Sequence, residues 1–494
     1  MLTKIKHFLA SKYFEYIILS IILVVGFVVR LYKINGPVAD WHSWRQADTA
    51  SVTKVYLQRG INLFYPKYHD ISSVQTGIFN PQGYRMVEFP IYNAISALLT
   101  KSFPSLTMEV WSRLVTIFST VVTGFFLYLI GKKYLGVAGG LLTSFFYLFI
   151  PYNIYFTRVI LPDPFGAMCA TVAVWFYIVF IDNDSQVSLY LSAIAMSIAF
   201  LIKPFYGFYL VPLIYLTINK YGISKNDIKN IFSNKKILIN FITFSLIALM
   251  PFVLWRIWES RFPEGIPFFT WMFNGDGIRF RPAFWRWIFD DRLGRLILGG
   301  WGLVLFIFGV LKPKSYFIKY FIFGMLLYVS IVATANVRHD YYQIVTIPAI
   351  SLVVASGTLF LWNNLIFNKY FSRTLVVFSI AMMLMVGWIG IRDDYNINHP
   401  EIIEAGHEVD KITPKDALVV ASYDGDTAFL YQTNRWGWPS IDTSIDDIIK
   451  EGASYYVSVN LGSSETKMIE SRFATIEKTD KYIIINLREP LKTK

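Results

Sequence analysis

The sequence predicts an α-helical, polytopic membrane protein of about eleven spans, with a small α/β domain at its C-terminal end. Composition is the first reason. Of 494 residues, 54% are hydrophobic, 18% aromatic and only 16% charged, and the mean hydropathy is +0.44; a soluble globular chain carries about 25% charged residues. The second reason is the recurrence of apolar runs long enough, at roughly 17–25 residues, to cross hydrocarbon as a helix. They fall at 14–33, 110–131, 137–156, 164–181, 187–202, 205–218, 237–256, 295–311, 317–335, 343–367 and 374–391. The third is a change of composition at residue 392: the remainder holds 12 Lys and Arg against 18 Asp and Glu, while residues 1–391 hold 34 against 16. The net charge of +12 therefore arises in the membrane part, where anionic lipid accounts for it, and a nucleic-acid partner is not expected. Cys169 is the single cysteine and lies in an apolar run, so neither a disulfide framework nor a cysteine-ligated metal is expected.

The first run has no small-residue cleavage site behind it and reads as a retained anchor rather than a signal peptide. Pro151, Pro164, Pro204 and Pro212 shorten or break the third to sixth runs. Fifteen basic residues, Lys4, Lys6, Lys12, Lys225 and Lys229 among them, fall in the loops of one side; the short loops of the other hold only Arg158, Lys203 and Arg338. The basic side is cytoplasmic by the positive-inside rule. The N-terminus is then inside, and residues 34–109, 257–294 and 392–494 are outside. Twelve of the sixteen acids before residue 392 lie outside, and none sits in mid-span. A proton pump or transporter needs ionisable groups near the midplane, so the chemistry is expected at the outer surface. In the tail, 417–422, 455–459 and 482–486 read as strands and 401–411 and 443–451 as amphipathic helices, which defines a domain over 392–494 beside a membrane domain over 1–391.

The first outer loop opens with DWHSWRQADTA, from Asp40 to Ala50, and continues with EFPIY, from Glu88 to Tyr92. Its stretch Thr49 to Arg59 has helical periodicity suited to a helix in the interface plane. Three short outer loops carry Arg158 with Asp163, Lys203, and Arg338 with His339, Asp340, Tyr341 and Tyr342. Each holds a cation and two hold a carboxylate. A carboxylate beside a membrane cavity can take a proton from an acceptor, and cations with a Tyr can hold a phosphate and the charge it leaves with. These residue types suit transfer of a group from a lipid phosphate to a nucleophile outside the membrane.

The pattern resembles the GT-C glycosyltransferase superfamily, in the branch with the protein O-mannosyltransferases and bacterial aminoarabinose transferases. The HSWRQ and EFPxY motifs are similar to a bacterial subfamily of that branch, and the likeness extends to Arg158–Pro164, Arg338–Tyr342 and the tail segment YQTNRWGW, Tyr431 to Trp438. The resemblance implies a polyprenyl-phosphate sugar as donor and transfer with inversion to an outer lipid, polysaccharide or protein. It also implies an Asp in the first outer loop as catalytic base, carried over to Asp40. The wider family has adjacent Asp-Glu there; counting back from Leu57 and Gly60 puts that pair at Arg45-Gln46, with Asp48 nearby, so Asp40 and Asp48 both stand as candidates. Glu88 and Asp163 complete the candidate acids. Arg45, Arg158, Lys203, Arg338, His339 and Tyr342 are the candidate phosphate ligands.

Each has a plainer reading. Asp40 and Asp163 suit helix N-caps, and Glu88 suits the start of the helix that follows it. Arg45 and Lys203 suit snorkelling to headgroups, and Trp41, Trp44, Trp285 and Trp287 suit interfacial anchoring. His42 and His339 with Asp40 or Glu88 offer ligands to a divalent cation, but lone histidines do not specify one, so no resident metal or other cofactor is assigned. The basic, aromatic loop 257–294 suits either a lid or headgroup binding. Two rival classes are a non-enzymatic transporter of lipid-linked oligosaccharide and a receptor whose tail binds a ligand.

Overall fold

A computed structural model describes residues 12–222, 224, 234–364 and 366–491. Lys4, Lys6, Lys225, Lys229 and Asp227 lie outside the described residues. The chain forms two compact units. One comprises residues 1–34, 114–255 and 269–393, the other 35–113, 256–268 and 394–494.

The first unit is helical. Among the described residues, six helices of the chain are long and apolar enough to cross a bilayer: Tyr13–Leu31, Met108–Phe149, Asp163–Asn183, Lys235–Glu259, Asp340–Asn363 and Lys369–Tyr395. The bent pair Gly302–Leu311 and Tyr316–Ile331 makes a seventh if it is taken as one span. The other expected runs are helical but shorter, and the breaks have local causes. Gly136, at φ 81°, interrupts Met108–Phe149. Pro204 opens a 3₁₀ segment, Pro204–Tyr209, ahead of Leu210–Tyr221. The expected run 295–311 begins as a π-helix, Trp287–Ile297, and restarts at Gly302 after Gly299 and Gly300, both at positive φ. Asp184, in the left-handed region, closes one helix, and Ser185 caps the next by accepting from Ser188 N. Helices 302–311 and 347–363 meet at glycines: a Cβ on Gly357 would lie 1.8 Å from the Leu305 carbonyl oxygen, and one on Gly309 would lie 2.0 Å from that of Val353. Such small residues let backbones approach where lipid supplies no hydrophobic drive.

The second unit contains the expected small α/β element. Strands β1 (Leu418–Ser422), β2 (Trp436–Trp438), β3 (Ala453–Ser458), β4 (Phe473–Lys478) and β5 (Ile483–Pro490) form one sheet in the order β2-β1-β3-β5-β4. The first three are parallel; β5 is antiparallel to β3 and to β4. The expected strands are β1, β3 and β5, and the expected helices are Glu401–Ile412 and Ile445–Lys450. Two strands carry no sequence signal: β2 is three residues with a central glycine, and β4 alternates poorly, with one buried side chain in six. The sheet core includes Val420, Trp438, Tyr456, Ile483 and Ile485, and the loop residue Ile71 belongs to it.

The first outer loop extends this sheet. Asp70 bridges Gly437 in parallel, Ile71 N donates to the Gly437 carbonyl at 2.9 Å, and Gly437 N donates to the His69 carbonyl at 3.0 Å. Asp70 itself is buried and accepts from Ser72 N at 2.8 Å and Tyr68 Oη at 3.3 Å. Burial pushes its carboxyl from the usual 3.8 up to about 6. A carboxyl with a raised native pKa keeps its proton longer in the folded state. Its contribution to stability is therefore intact below about pH 4 and is lost as pH rises through about 6. Asp70→Asn keeps the acceptor and removes the titration, so its melting temperature relative to wild type is expected to climb between pH 5 and 7.5. Parallel melting curves over that range would show that the buried charge does not set this stability.

Candidate active site

The HSWRQ motif forms the start of a helix, Ser43–Arg59, in the second unit. Protein rather than lipid covers most of it: Arg45 to Thr53 is buried without a break, as are Val55 and Tyr56. Asp40 does not cap this helix. The cap position is His42, held at φ 56° with no side-chain cap bond, and Asp40 Oδ1 accepts from Gln46 Nε2 at 2.6 Å. Gln46 also donates to the Trp41 carbonyl at 3.3 Å, so its carboxamide fixes the loop that carries Asp40.

Arg45 does not snorkel. Its guanidinium pairs with Glu88 and donates to Thr49 Oγ1 at 3.2 Å. Glu88 correspondingly makes no cap for Ile91–Ser102, whose cap position is Pro90. The HSWRQ and EFPxY motifs are thus joined by an Arg–Glu pair from which water is largely excluded. Asn93 strengthens the join by donating to the Thr49 carbonyl at 2.7 Å and Thr53 Oγ1 at 3.1 Å.

Asp48 faces another way. Its side chain has 0% exposure, Oδ2 accepts from Arg85 at 2.7 Å and Gln75 at 3.4 Å, and Oδ1 accepts from Thr427 at 2.7 Å. Both oxygens are committed to the fold. Arg85 and Thr427 carry no motif or spacing that sequence reasoning could use, whereas Gln46 lies in the HSWRQ run.

The tail segment YQTNRWGW is a clamp on the same loop. Tyr431 Oη donates to Glu109 at 2.6 Å, Gln432 donates to the Val38 carbonyl at 2.9 Å, and Lys54 Nζ donates to Asn434 Oδ1 at 2.5 Å. Lys54 also lies 3.8 Å from the Tyr431 ring centroid. Burial lowers its ammonium to about 8 against the pull of Glu109 and Asp410. Arg435, with no exposed side-chain surface, pairs with Asp410 and donates to the Pro414 carbonyl at 2.8 Å and that of Thr413 at 2.9 Å.

The remaining candidates lie in the helical unit. Asp163 is the first residue of Asp163–Asn183, and the cap position, Pro162, makes no side-chain bond. Asp163 instead pairs with Lys203 at 2.6 Å in a buried contact, which replaces both the cap and the snorkelling readings. Its Oδ2 has no hydrogen-bond partner, while its backbone carbonyl accepts from Tyr206 Oη at 2.5 Å. The Lys203 ammonium lies 5.1 Å from the Tyr341 ring and 4.9 Å from that of Tyr342. The structure therefore brings Asp163, Lys203 and Tyr342 together and adds Tyr341.

The loop bearing those tyrosines is fixed by Tyr328 Oη donating to the Tyr342 carbonyl at 3.0 Å, Tyr152 Oη to that of Asp340 at 2.7 Å, and Arg292 pairing with Asp340 at 2.5 Å. His339 stacks on Tyr341 and Tyr342 at 5.8 and 6.1 Å. Arg158 is buried and donates to the Tyr32 carbonyl at 3.3 Å. Arg338 is 57% exposed and 3.5 Å from Asp276. In the loop expected as a lid, Arg279 donates to the Ile331 carbonyl at 3.1 Å, and Trp285 and Trp287 remain partly exposed. Among the described residues no group of three or more His, Cys, Asp or Glu is arranged to hold a metal ion.

The geometry thus supplies a buried Asp–Gln–Arg–Glu set in one unit and a buried Lys–Asp pair under two tyrosines in the other. Comparisons with known proteins place the fold. Residues 89–255 match the family described as dolichyl-phosphate-mannose-protein mannosyltransferase. Curated protein sequences give no match. Among solved structures, ArnT from Cupriavidus metallidurans bound to undecaprenyl phosphate superposes with TM-score 0.63 at 12% identity, over 96% of this chain and 98% of that one. Its apo form gives 0.62 at 11%, over 96% and 98%. The oligosaccharyltransferase AglB from Archaeoglobus fulgidus, in complex with an inhibitory peptide and a dolichol-phosphate, gives 0.58 at 9%, over 96% and 75%. The chain thus shares the fold of ArnT and AglB, and its residues 89–255 are similar to the protein mannosyltransferase family.

Proposed function

We propose that this protein transfers a sugar from a polyprenyl-phosphate donor to an acceptor on the extracytoplasmic side of a bacterial inner membrane, through a chain that crosses the bilayer about eleven times. The observation that carries this reading is the division of labour between the two first-loop aspartates. Both oxygens of Asp48 are held by Arg85 and Thr427, whereas Asp40, held toward Gln46 just ahead of the HSWRQ run, is the carboxylate assigned to proton transfer. The acceptor hydroxyl oxygen attacks the anomeric carbon as Asp40 takes its proton. The bond from that carbon to the phosphate oxygen breaks with inversion, and its electron pair leaves on the polyprenyl phosphate. Arg45 and Glu88 hold the acceptor-side loop. Lys203, supported by Asp163 and Tyr342, holds the donor phosphate and compensates the charge it gains. The relatives bound to undecaprenyl phosphate and to a dolichol-phosphate support a donor of this class.

Truncation of the tail cannot separate the receptor reading from the enzyme. Deleting 396–494 would remove Thr427 from Asp48 and Trp438 from the core that includes Ile71, so the first loop would collapse with the tail, and any loss of ligand binding would follow from unfolding.

The two aspartates give opposite results on substitution. Asp40→Asn is expected to lower turnover of a polyprenyl-phosphate sugar by about 10²–10⁴-fold, the usual worth of a general base, with melting temperature and donor affinity kept. Asp48→Asn is expected to destabilise the protein by about 3–5 kcal/mol, as when one member of a buried ion pair is removed. Wild-type turnover in Asp40→Asn would remove it as the base. For the donor, Lys203→Gln is expected to weaken binding of undecaprenyl phosphate about tenfold or more, the worth of a charge-assisted hydrogen bond. Arg338→Ala, exposed and loosely paired, should change it less than about threefold. Equal effects in a binding titration would overturn the assignment of Lys203.

A further inference from the structure

The helical unit carries a groove of about 330 Å³ that the transfer chemistry does not use. Its origin is a turn. The chain bends by 117° between Gly302–Leu311 and Tyr316–Ile331, which stops well short of the reversal that would lay the two helices side by side. Each packs on Ile347–Asn363 instead, and the space between them stays open. Phe306 and Val310 line one wall and Ile318, Ile322 and Leu326 the other, spaced four residues apart on single helix faces, and Val353 of the third helix completes the groove. The step from Ile318 to Leu326 rises about 12 Å along the helix, close to half of the roughly 30 Å hydrocarbon core and so to the depth of one leaflet.

One end of this apolar groove is basic. Among the described residues Lys319 is the one charged group that lines it, and its ammonium lies 5.0 Å from the Tyr316 ring centroid. Pro313 lines it too, and Lys312 and Lys314 flank that proline in the chain. Among the described residues none of the three lysines pairs with a carboxylate. Where acids are at hand in the helical unit, lysines of the other basic loops do pair: Lys132 with Glu15, Lys133 with Asp182 and Lys220 with Asp184. The positive-inside rule accounts for lysines in a loop. It does not account for their placement at the end of an apolar groove, and the groove alone would take any acyl chain.

We propose that this groove holds one acyl chain of an anionic phospholipid from the adjoining leaflet, with the lipid phosphate on Lys312, Lys314 and Lys319. Both parts of the site are then used, as in other basic pockets between membrane helices. A water-soluble anion leaves the apolar walls bare, and a zwitterionic head brings an ammonium that the lysines oppose. The site does not rest on the transferase reading. Lys203 and Asp163, assigned there to the donor phosphate, belong to loops of the opposite side by the distribution of basic residues.

The test is native mass spectrometry of the full chain in non-ionic detergent, incubated with equal amounts of dioleoyl-phosphatidylglycerol and dioleoyl-phosphatidylethanolamine. A one-to-one phosphatidylglycerol adduct is expected, retained at least tenfold over phosphatidylethanolamine. Replacing Lys312, Lys314 and Lys319 together by Gln is expected to abolish that preference with the melting temperature kept, and replacing all three by Arg to keep it. Ile322→Trp, which fills the groove, is expected to lose both adducts. Absence of any adduct, equal retention of the two phospholipids, or a wild-type pattern in the Gln variant or in Ile322→Trp overturns the proposal. So does displacement of phosphatidylglycerol by an equal amount of undecaprenyl phosphate, which would give the groove to the polyprenyl lipid instead.

Discussion

A carboxylate with no access to water must be neutralised where it stands, and Asp48 imposes that requirement on the whole second unit. Its oxygens draw in Arg85 from the far end of the first outer loop, and Thr427 from the tail. Three segments distant in sequence are thereby fixed around one helix, Ser43–Arg59. The clamp formed by Tyr431, Gln432, Asn434 and Arg435 then closes over the same helix and loop. Removing any one partner leaves a buried charge or a buried donor behind, so the arrangement is cooperative rather than a sum of weak contacts. Asp40, ahead of the same helix, is held toward the carboxamide of Gln46, whose own backbone lies in the buried run.

The helical unit solves the same problem with different parts. Lys203 and Asp163 neutralise each other at 2.6 Å, and the rings of Tyr341 and Tyr342 cover the ammonium. The tyrosines are held through their backbone by hydroxyls of other helices, Tyr328 and Tyr152, and by the Arg292–Asp340 pair. Pre-organisation of this kind matters for phosphate recognition, because a cation already in place costs little reorganisation when charge arrives. The one unpartnered oxygen of the set, Asp163 Oδ2, marks where this pair can accept a further donor.

Much of this was legible in the sequence. Apolar runs gave the helices and alternation gave β1, β3 and β5, while the HSWRQ and EFPxY motifs, both singled out there, meet through the Arg45–Glu88 contact that only the fold shows. What sequence could not supply was which polar group meets which. Local rules made Asp40 a helix cap, Lys203 a snorkelling anchor and Asp163 another cap; each is instead engaged by a residue that only the folded chain brings near. The burial of Asp48 against Arg85 was equally hidden, because Arg85 has no motif around it. Strand β2 escaped notice because it is too short for any periodicity, yet it is the edge to which the first loop attaches through Asp70 and Gly437. The helix Thr49 to Arg59 looked amphipathic enough for a membrane interface, but its apolar face is covered by protein, with Val52 and Tyr56 packed against Tyr68 and Ala97.

Sugar transfer from a lipid phosphate is the central claim, and its most direct test is mass spectrometry of polyprenyl lipids and envelope glycans in a strain lacking this gene beside its parent. The account predicts accumulation of one polyprenyl-phosphate sugar together with loss of that sugar from one glycan, lipid or glycoprotein. Unchanged pools on both sides, with the protein present in the parent, would contradict it.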